Sequence, residues 1–391
     1  MTEPVSPADL LGLDDHLSDD ELAVRGAVRD LCERTITPHI GEWFEAGAIP
    51  GLRDIAVELG KLGALGMHLR GYGCPGMSAV DYGLACTELE ACDSAIRSFV
   101  SVQGSLAMFA IWRYGSEEQK QRWLPAMAAG AAIGCFGLTE PDHGSDPSSM
   151  RTSAKRDGTD WILSGRKAWI TNGSIADVAI VWARTDNGIR GFVVPTDAAG
   201  FSAPEIKHKL SLRASVTSEL VLDDVRLPAS AQLPEAQGLS APLSCLNEAR
   251  YGIVWGAMGA ARTAFLTATD YAQHRTQFGK PIAAFQLTQA KLVEMAVELG
   301  KGALLALHLG RRKDAGTLTP EQVSFGKLNN TRAALEICRS ARSVLGANGI
   351  SLEFPVIRHM TNLESVLTYE GTVEMHTLVL GQAITGIAAY R

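Results

Sequence analysis

Glu370 stands in the string Thr368-Tyr369-Glu370-Gly371-Thr372, just ahead of the last helical stretch of the chain. A carboxylate between an aromatic ring and a glycine can be screened from water on one side and approached closely on the other. Such burial disfavours the charged form, raises the pKa and makes the group a stronger base. Removal of a weakly acidic C–H proton needs a base of that kind, held in place. A solvated loop glutamate at a helix entrance is the plain alternative, and the string alone does not separate the two.

Arg97 adds a second possibility, in Glu90-Ala91-Cys92-Asp93-Ser94-Ala95-Ile96-Arg97-Ser98. On a continuous helix Asp93 and Arg97 form an i,i+4 pair worth only about 0.2–0.5 kcal/mol. Glu90 then shares the face of Arg97 about 10 Å along the axis. A cation and an acid facing one pocket can hold a dicarboxylate-type molecule.

Four further strings are polar and rich in glycine. Phe136-Gly137-Leu138-Thr139-Glu140-Pro141-Asp142-His143-Gly144-Ser145-Asp146 can present N–H and hydroxyl donors to a polar ring edge or a phosphate. It can equally be a tight turn capped by its own Asp and Ser side chains. Trp169-Ile170-Thr171-Asn172-Gly173 closes a strand, with the Trp expected in the core and Thr-Asn-Gly polar enough to line a site. Arg275-Thr276-Gln277-Phe278-Gly279-Lys280-Pro281, with Gln286, can bind an anion through the Arg fork, or the Arg answers a helix macrodipole. Leu345-Gly346-Ala347-Asn348-Gly349-Ile350 reads as a helix C-terminus. A fifth string, Gly71-Tyr72-Gly73-Cys74-Pro75-Gly76, matches GxGxxG. Leu59, Leu62 and Leu65 precede it at helical spacing, where a dinucleotide site needs a strand, so it is expected to be an inter-helix loop.

The elements that must position these residues fall into three blocks. Ser18-Asp19-Asp20-Glu21 and Ser116-Glu117-Glu118-Gln119 are capping boxes that open helices in the first block. From about Cys135 the period shortens toward two, and strands are expected at 161–163, 168–170, 178–182, 191–194 and 220–222, in an antiparallel sheet or barrel. Asp186-Asn187-Gly188 is a hairpin turn. After residues 230–240 helical spacing returns, with Thr319-Pro320-Glu321-Gln322 a strong helix start. The fold class is α+β, divided at 1–134 (all-α), 135–236 (β, barrel-like) and 237–391 (all-α, a four-helix bundle).

Composition narrows the function. A chain of 391 residues, 46% hydrophobic and 20% charged, is globular and long enough for two or three domains. Its net charge of -7 argues against a nucleic-acid partner. Seven cysteines (Cys32, Cys74, Cys86, Cys92, Cys135, Cys245, Cys338) form no CxxC pair, and nine histidines form no HxxxH face. Neither a disulfide framework nor a metal site is expected, and a reducing cytoplasm fits. The acidic N-terminus resembles no targeting signal. Uncharged runs at 126–138 and 378–390 fall short of the roughly 18 residues a spanning helix needs, so no membrane is expected.

Taken in order, FGLTEPDHGSD, WITNG, RTQFGKP, LGANGI and YEGT resemble the motif series of the acyl-CoA dehydrogenases, over essentially the whole chain. Within that family the chain is most similar to the glutaryl-CoA branch, in RSFVSVQGSL, GCFGLTEP, KLSLRAS, CLNEARYGI, NGIS, IRHMTNLE and TYEGT. The resemblance implies FAD held between the middle and C-terminal blocks and across a dimer contact. It also implies an acyl-CoA substrate, a homotetramer (a dimer of dimers) and an electron-transfer flavoprotein as acceptor. By position Phe136, Leu138, Thr139, Gly144, Ser145, Trp169, Thr171 and Thr372 match flavin-side contacts, Ser145 also meeting substrate. Arg275, Phe278, Gln286, Leu345, Gly346 and Ala347, within a segment at 343–347, match contacts to pyrophosphate and adenosine. Leu243, Asn247 and Arg250 match the CoA-tail lining, and Tyr369 and Gly371 flank the reacting thioester.

Under the same resemblance Glu370 takes the α-proton while the β-hydride leaves to FAD. Its own N–H and a flavin ribitol hydroxyl hold the thioester oxygen. Arg97, Ser98 and Glu90 match the pocket for a distal carboxylate, whose loss as CO2 gives crotonyl-CoA. Ile96, where an aromatic residue is often found, and His143, where a small one is usual, depart from the pattern. A dehydrogenase that stops at glutaconyl-CoA, and a short-chain acyl-CoA dehydrogenase or oxidase, are the enzymatic alternatives. A catalytically silent flavin- or CoA-binding protein is the other class.

Overall fold

The computed structural model describes residues 6–389; the first five residues of the acidic N-terminus, and Tyr390 with Arg391, lie outside them. Helices come first. Ser18 caps α1 (Asp19–Thr35) through both arms of the expected box, Ser18 N donating to Glu21 Oε2 at 2.8 Å. Short α2 (Ile40–Ala46) and α3 (Leu52–Lys61) follow. The GxGxxG string forms a small hairpin between helices, β1 (Arg70–Gly71) with β2 (Cys74–Pro75). A box that the sequence reading passed over, Ser78 with Asp81, opens α4 (Ala79–Cys92).

Asp93 then interrupts the helix that the sequence suggested for residues 90–98. Its backbone is extended (φ -165°, ψ 143°), and its carboxylate caps α5 (Ser94–Ser101) by accepting from Ala95 N at 2.7 Å. The same carboxylate accepts from Arg358 and from Asn362 Nδ2 rather than pairing with Arg97. The kink swings α5 back so that Arg97 Nε donates to Glu90 Oε2 at 2.6 Å, where a straight helix would hold them apart. α5 runs on through a π-helical turn (Val102–Met108) into α6 (Phe109–Tyr114), and α7 (Glu117–Ala128) closes the block. The stretch Ser94–Tyr114 is apolar and long enough to cross a membrane by composition, yet its most apolar 18-residue window is 94% buried inside the protein. It is a core helix.

The middle sheet contains β3 (Gly134–Gly137), β4 (Ser153–Asp157), β5 (Asp160–Thr171), β6 (Val178–Thr185), β7 (Gly188–Pro195), β8 (Phe201–Ser202) and β9 (Thr217–Leu227). Their order is β3-β6-β4-β5-β9-β8, with β7 also on β6. Two expected strands, at 161–163 and 168–170, are one long β5 whose pairing with β9 slips at two bulges. β3 runs parallel to β6, so the sheet is mixed where an antiparallel one was expected. Asp186 and Asn187 turn β6 into β7 as read.

The last block holds α8 (Ser240–His274), a hairpin of β10 (Thr276–Gln277) and β11 (Lys280–Pro281), α9 (Gln286–Asp314), α10 (Pro320–Val344), α11 (Pro355–Thr368) and α12 (Val373–Thr385). α8 to α11 pack together, and α12 lies on α10. α8 also crosses α4 at very close range. A Cβ on Gly259 would sit 1.9 Å from Thr87 O, and one on Gly256 would sit 2.1 Å from Glu90 Oε2. Glycine at these positions lets the two backbones meet and leaves room for a buried glutamate.

Glu88, on the same helix, ties three helices together. It receives one fork from Arg29 of α1 and a second from Arg262 of α8, the closest contact at 2.6 Å. Burial raises its pKa, but Arg262 and Arg29 more than reverse that and hold it at about 2. A depressed carboxylate stabilises the fold above its ordinary value, and loses that contribution as pH falls toward about 2. Glu88→Gln leaves two guanidinium groups without their charge partner, at a cost of about 3 kcal/mol. The thermal midpoint at neutral pH is therefore expected to fall by several degrees, and the gap to wild type to close below the carboxylate range. An equal gap at all pH values would contradict the assignment.

Candidate active site

Glu370 occupies the four-residue link, 369–372, between α11 and α12. Tyr369 ends α11 in extended conformation, and Thr372 caps α12 by accepting from Met375 N at 3.3 Å. Between them Glu370 has φ +55° and Gly371 φ +104°. A non-glycine residue in left-handed backbone costs on the order of 1–3 kcal/mol and persists only when its surroundings fix it. Arg250 Nε donates to Glu370 O at 2.6 Å, and Lys327 Nζ donates to Gly371 O at 2.8 Å and Leu367 O at 3.4 Å. Two cations from two helices thus tie the link down.

The Glu370 side chain points inward. Its Oε2 is buried and finds no hydrogen-bond partner among the described residues. Burial raises its pKa, and Arg97, Lys327 and Arg250 only partly oppose that, so the carboxyl stays above its ordinary value. The side chain is thus screened from water, with its charged form disfavoured by burial.

Arg97 faces the same space and is 1% exposed. Its Nε is taken by Glu90, and its Nη2 donates to Tyr369 Oη. Ser98 Oγ lies 3.1 Å from the same phenol, and Ser94 Oγ donates to the other Glu90 oxygen at 2.8 Å. Burial works against the guanidinium's charge, but Glu90 and Tyr369 outweigh it and lock the cation. Residues 90, 97, 98, 369 and 370 are therefore one cluster, brought together across the whole length of the chain. On α8 Arg250 reaches back to Asn247 Oδ1 at 3.0 Å, and Leu243, Asn247 and Arg250 are half-buried.

The β-side loop is held by Glu140. Its carboxylate accepts from Arg151 N (2.6 Å), Thr152 N (2.8 Å) and Lys167 Nζ (2.9 Å), while Lys167 also donates to Leu138 O. Phe136 and Leu138 are buried beside it, Thr139 and Thr171 half-buried, and Gly144 and Ser145 exposed. Asp146 accepts from the Ser148 and Ser149 hydroxyls, so the segment is also the self-capped turn considered above. Trp169 is not in the core. Its φ of +62° turns the ring out of the strand's alternation and leaves it 62% exposed. Arg275, Phe278, Gln286, Gly346 and Ala347 are exposed, outside the buried Glu370 cluster. Leu345 differs, its side chain packed in the core of the C-terminal helices.

Lys327 and His376 were not singled out from sequence. Lys327 is one lysine among many, and His376 a lone histidine on α12, yet both are buried against the Glu370 link. The local signal was the unusual company of Lys327 on the buried side of α10, among Val323, Ser324, Asn330 and Thr331.

Comparison with known proteins agrees with this arrangement. The N-terminal, middle and C-terminal domains of acyl-CoA dehydrogenases match residues 18–131, 135–225 and 236–385. The chain belongs to the acyl-CoA dehydrogenase family. A crystal structure of glutaryl-CoA dehydrogenase from Mycobacterium smegmatis is 68% identical, covers 98% of this chain and 99% of its own, and superposes with a TM-score of 0.97. A second, of a Mycobacterium smegmatis glutaryl-CoA dehydrogenase in complex with FADH2, is 64% identical over the same shares, with a TM-score of 0.97. The human mitochondrial short-chain specific acyl-CoA dehydrogenase is 34% identical over 90% of this chain and 87% of its own length.

Within this acyl-CoA dehydrogenase, Gly371 is the backbone position next to Glu370 that tolerates no side chain. A Cβ there would stand 2.9 Å from His376 Nε2, at a φ that side chains rarely adopt. Gly371→Ala is expected to shift Glu370 and lower acyl-CoA-dependent dye reduction by about 100-fold, because small misplacements of reacting groups cost that much. Unchanged turnover would show that the geometry of the link does not matter to the reaction.

Proposed function

We propose that the protein is an FAD-dependent glutaryl-CoA dehydrogenase that carries its substrate through decarboxylation to crotonyl-CoA and CO2. The observation that carries this reading is the buried Arg97, charge-locked by Glu90, in one pocket with Glu370. With Nε and Nη2 occupied, Arg97 keeps its Nη1 edge for a second carboxylate on the substrate. A monocarboxylic acyl chain has no use for such a cation.

Residues of the chain fit the cofactor. Trp169 offers an exposed ring, and Thr139, Ser145 and Thr171 offer hydroxyls beside it. Phe136, Leu138, Gly144 and Thr372 complete that side, and Arg275, Phe278 and Gln286, with the backbone of 345–347, would hold the diphosphate and adenosine. Phe278 is 94% exposed, which supports completion of that part by a second copy in a homotetramer. When bound, FAD supplies the acceptor for a hydride from the substrate's β-carbon. An electron-transfer flavoprotein is the proposed onward acceptor. A cytoplasmic location is supported by seven cysteines that are all free.

Leu243, Asn247 and Arg250 would line the CoA tail. Glu370 then removes the α-proton, and its own N–H, which makes no hydrogen bond among the described residues, is free to hold the developing thioester oxyanion. The oxidised C5 diacid loses its γ-carboxylate as CO2, the C–C electron pair moving toward the thioester. Protonated Glu370 returns its proton to the γ-carbon. Arg97 binds the carboxylate but also stabilises the charge that must leave. Glu90 offsets that stabilisation, which favours decarboxylation over release of glutaconyl-CoA.

Arg97→Ala separates this reading from a short-chain dehydrogenase. The ratio of kcat/KM for glutaryl-CoA over butyryl-CoA should fall by about 100-fold, since losing a buried charged partner costs a few kcal/mol. An unchanged ratio, in a variant that keeps its flavin, would mean that Arg97 is only structural.

A further inference from the structure

Lys327 carries a buried charge that the reaction as described leaves without a task. It lies on α10 with no exposure to solvent. Burying an ammonium is costly, and an apolar side chain of similar length would pack there at less expense. Its hydrogen bonds go only to backbone carbonyls, Gly371 O on the link at 2.8 Å and Leu367 O at the end of α11 at 3.4 Å. Those two carbonyls bracket Glu370, one just after it and one in the last turn of α11.

The charges around Glu370 come from every element packed on it. Arg97 of α5 is matched by Glu90 of α4. Arg250 of α8 is turned to the Glu370 carbonyl and to Asn247. His376 of α12 is kept neutral, burial with Lys327 and Arg250 nearby pushing it down to about 3. Tyr369 is a buried phenol engaged with Arg97 and Ser98. Lys327 makes no salt bridge among the described residues, and Glu370 is the acid whose charge acts on it through space.

We propose that Lys327 is the positioning residue of Glu370: its ammonium pins the left-handed link and holds the Glu370 side chain as a carboxylate in mildly acidic solution. The inference rests on the reading of Glu370 as the proton-abstracting base. It also bears on the return step. Once Glu370 has taken the α-proton, Lys327 stands without a counter-charge, and this makes the protonated carboxyl a better donor toward the γ-carbon. Burial, opposed by Glu370, brings the Lys327 ammonium down to about 7, so its charge is present in acid solution and fades above neutrality.

Lys327→Gln keeps a donor for Gly371 O and removes the charge; Lys327→Met removes both. The test is the rate of anaerobic flavin bleaching by glutaryl-CoA across pH, in holoenzyme of checked flavin content. For Lys327→Gln the acid limb should move up by about one pH unit, with rates approaching wild type on the alkaline side. Lys327→Met should add a lower plateau, by about 10-fold, through loss of positioning. Coincident acid limbs, or a loss equal at all pH values, would overturn the proposal, and Lys327→Gln alone decides if the Met variant does not accumulate. Wild type and Glu370→Gln separate the two readings. If wild type is not bleached, or Glu370→Gln still is, the role of Glu370 falls. If wild type bleaches, Glu370→Gln does not, and the limbs coincide, only the role of Lys327 falls.

Discussion

A carboxylate without a hydrogen-bond partner, buried among cations, is the constraint to which the rest of this structure answers. Glu370 Oε2 has no partner among the described residues, and the energy of an isolated buried charge would expel it or protonate it. What keeps it usable is a ring of groups from five helices: Glu90 and Arg97 on α4 and α5, Arg250 on α8, Lys327 on α10 and His376 on α12. Each must arrive at the same point. The fold is largely the means of getting them there.

α4 is the hub of that arrangement. It presents Glu88 on one buried side to Arg29 and Arg262, and Glu90 on another to Arg97. Small residues of α8 let the two helices touch, and Gly256 leaves the space that Glu90 fills. The break at Asp93 converts residues seven apart in sequence from neighbours along a helix into an ion pair. One capping carboxylate, anchored by Arg358 and Asn362 of α11, therefore ties the helix that leads into Glu370 to the pocket facing it.

Much of this was legible in the sequence, for identifiable reasons. The boxes at Ser18, Ser116 and Thr319 formed as read, because capping is local chemistry. The three-block order and the Glu370 string were visible in periodicity and in motif. The Asp93 break was not, since the same residues also suit a straight helix, and the choice is made by Arg358, far along the chain. Trp169 was expected inside because a strand alternates. Its left-handed backbone and the bulge beside it break that alternation. Lys327 left only the faint signal of its buried company on α10, because its partners are backbone carbonyls, which side-chain patterns do not record.

The central claim is that one screened carboxylate both takes a proton from the substrate and gives one back, while Arg97 holds the far end. Oxidation of glutaryl-CoA deuterated at the α-carbon tests it most directly. The account predicts slowed flavin bleaching and release of CO2, with part of the abstracted deuterium recovered in the methyl group of crotonyl-CoA. Glutaconyl-CoA as the sole product, or crotonyl-CoA with no deuterium in its methyl group, would contradict it.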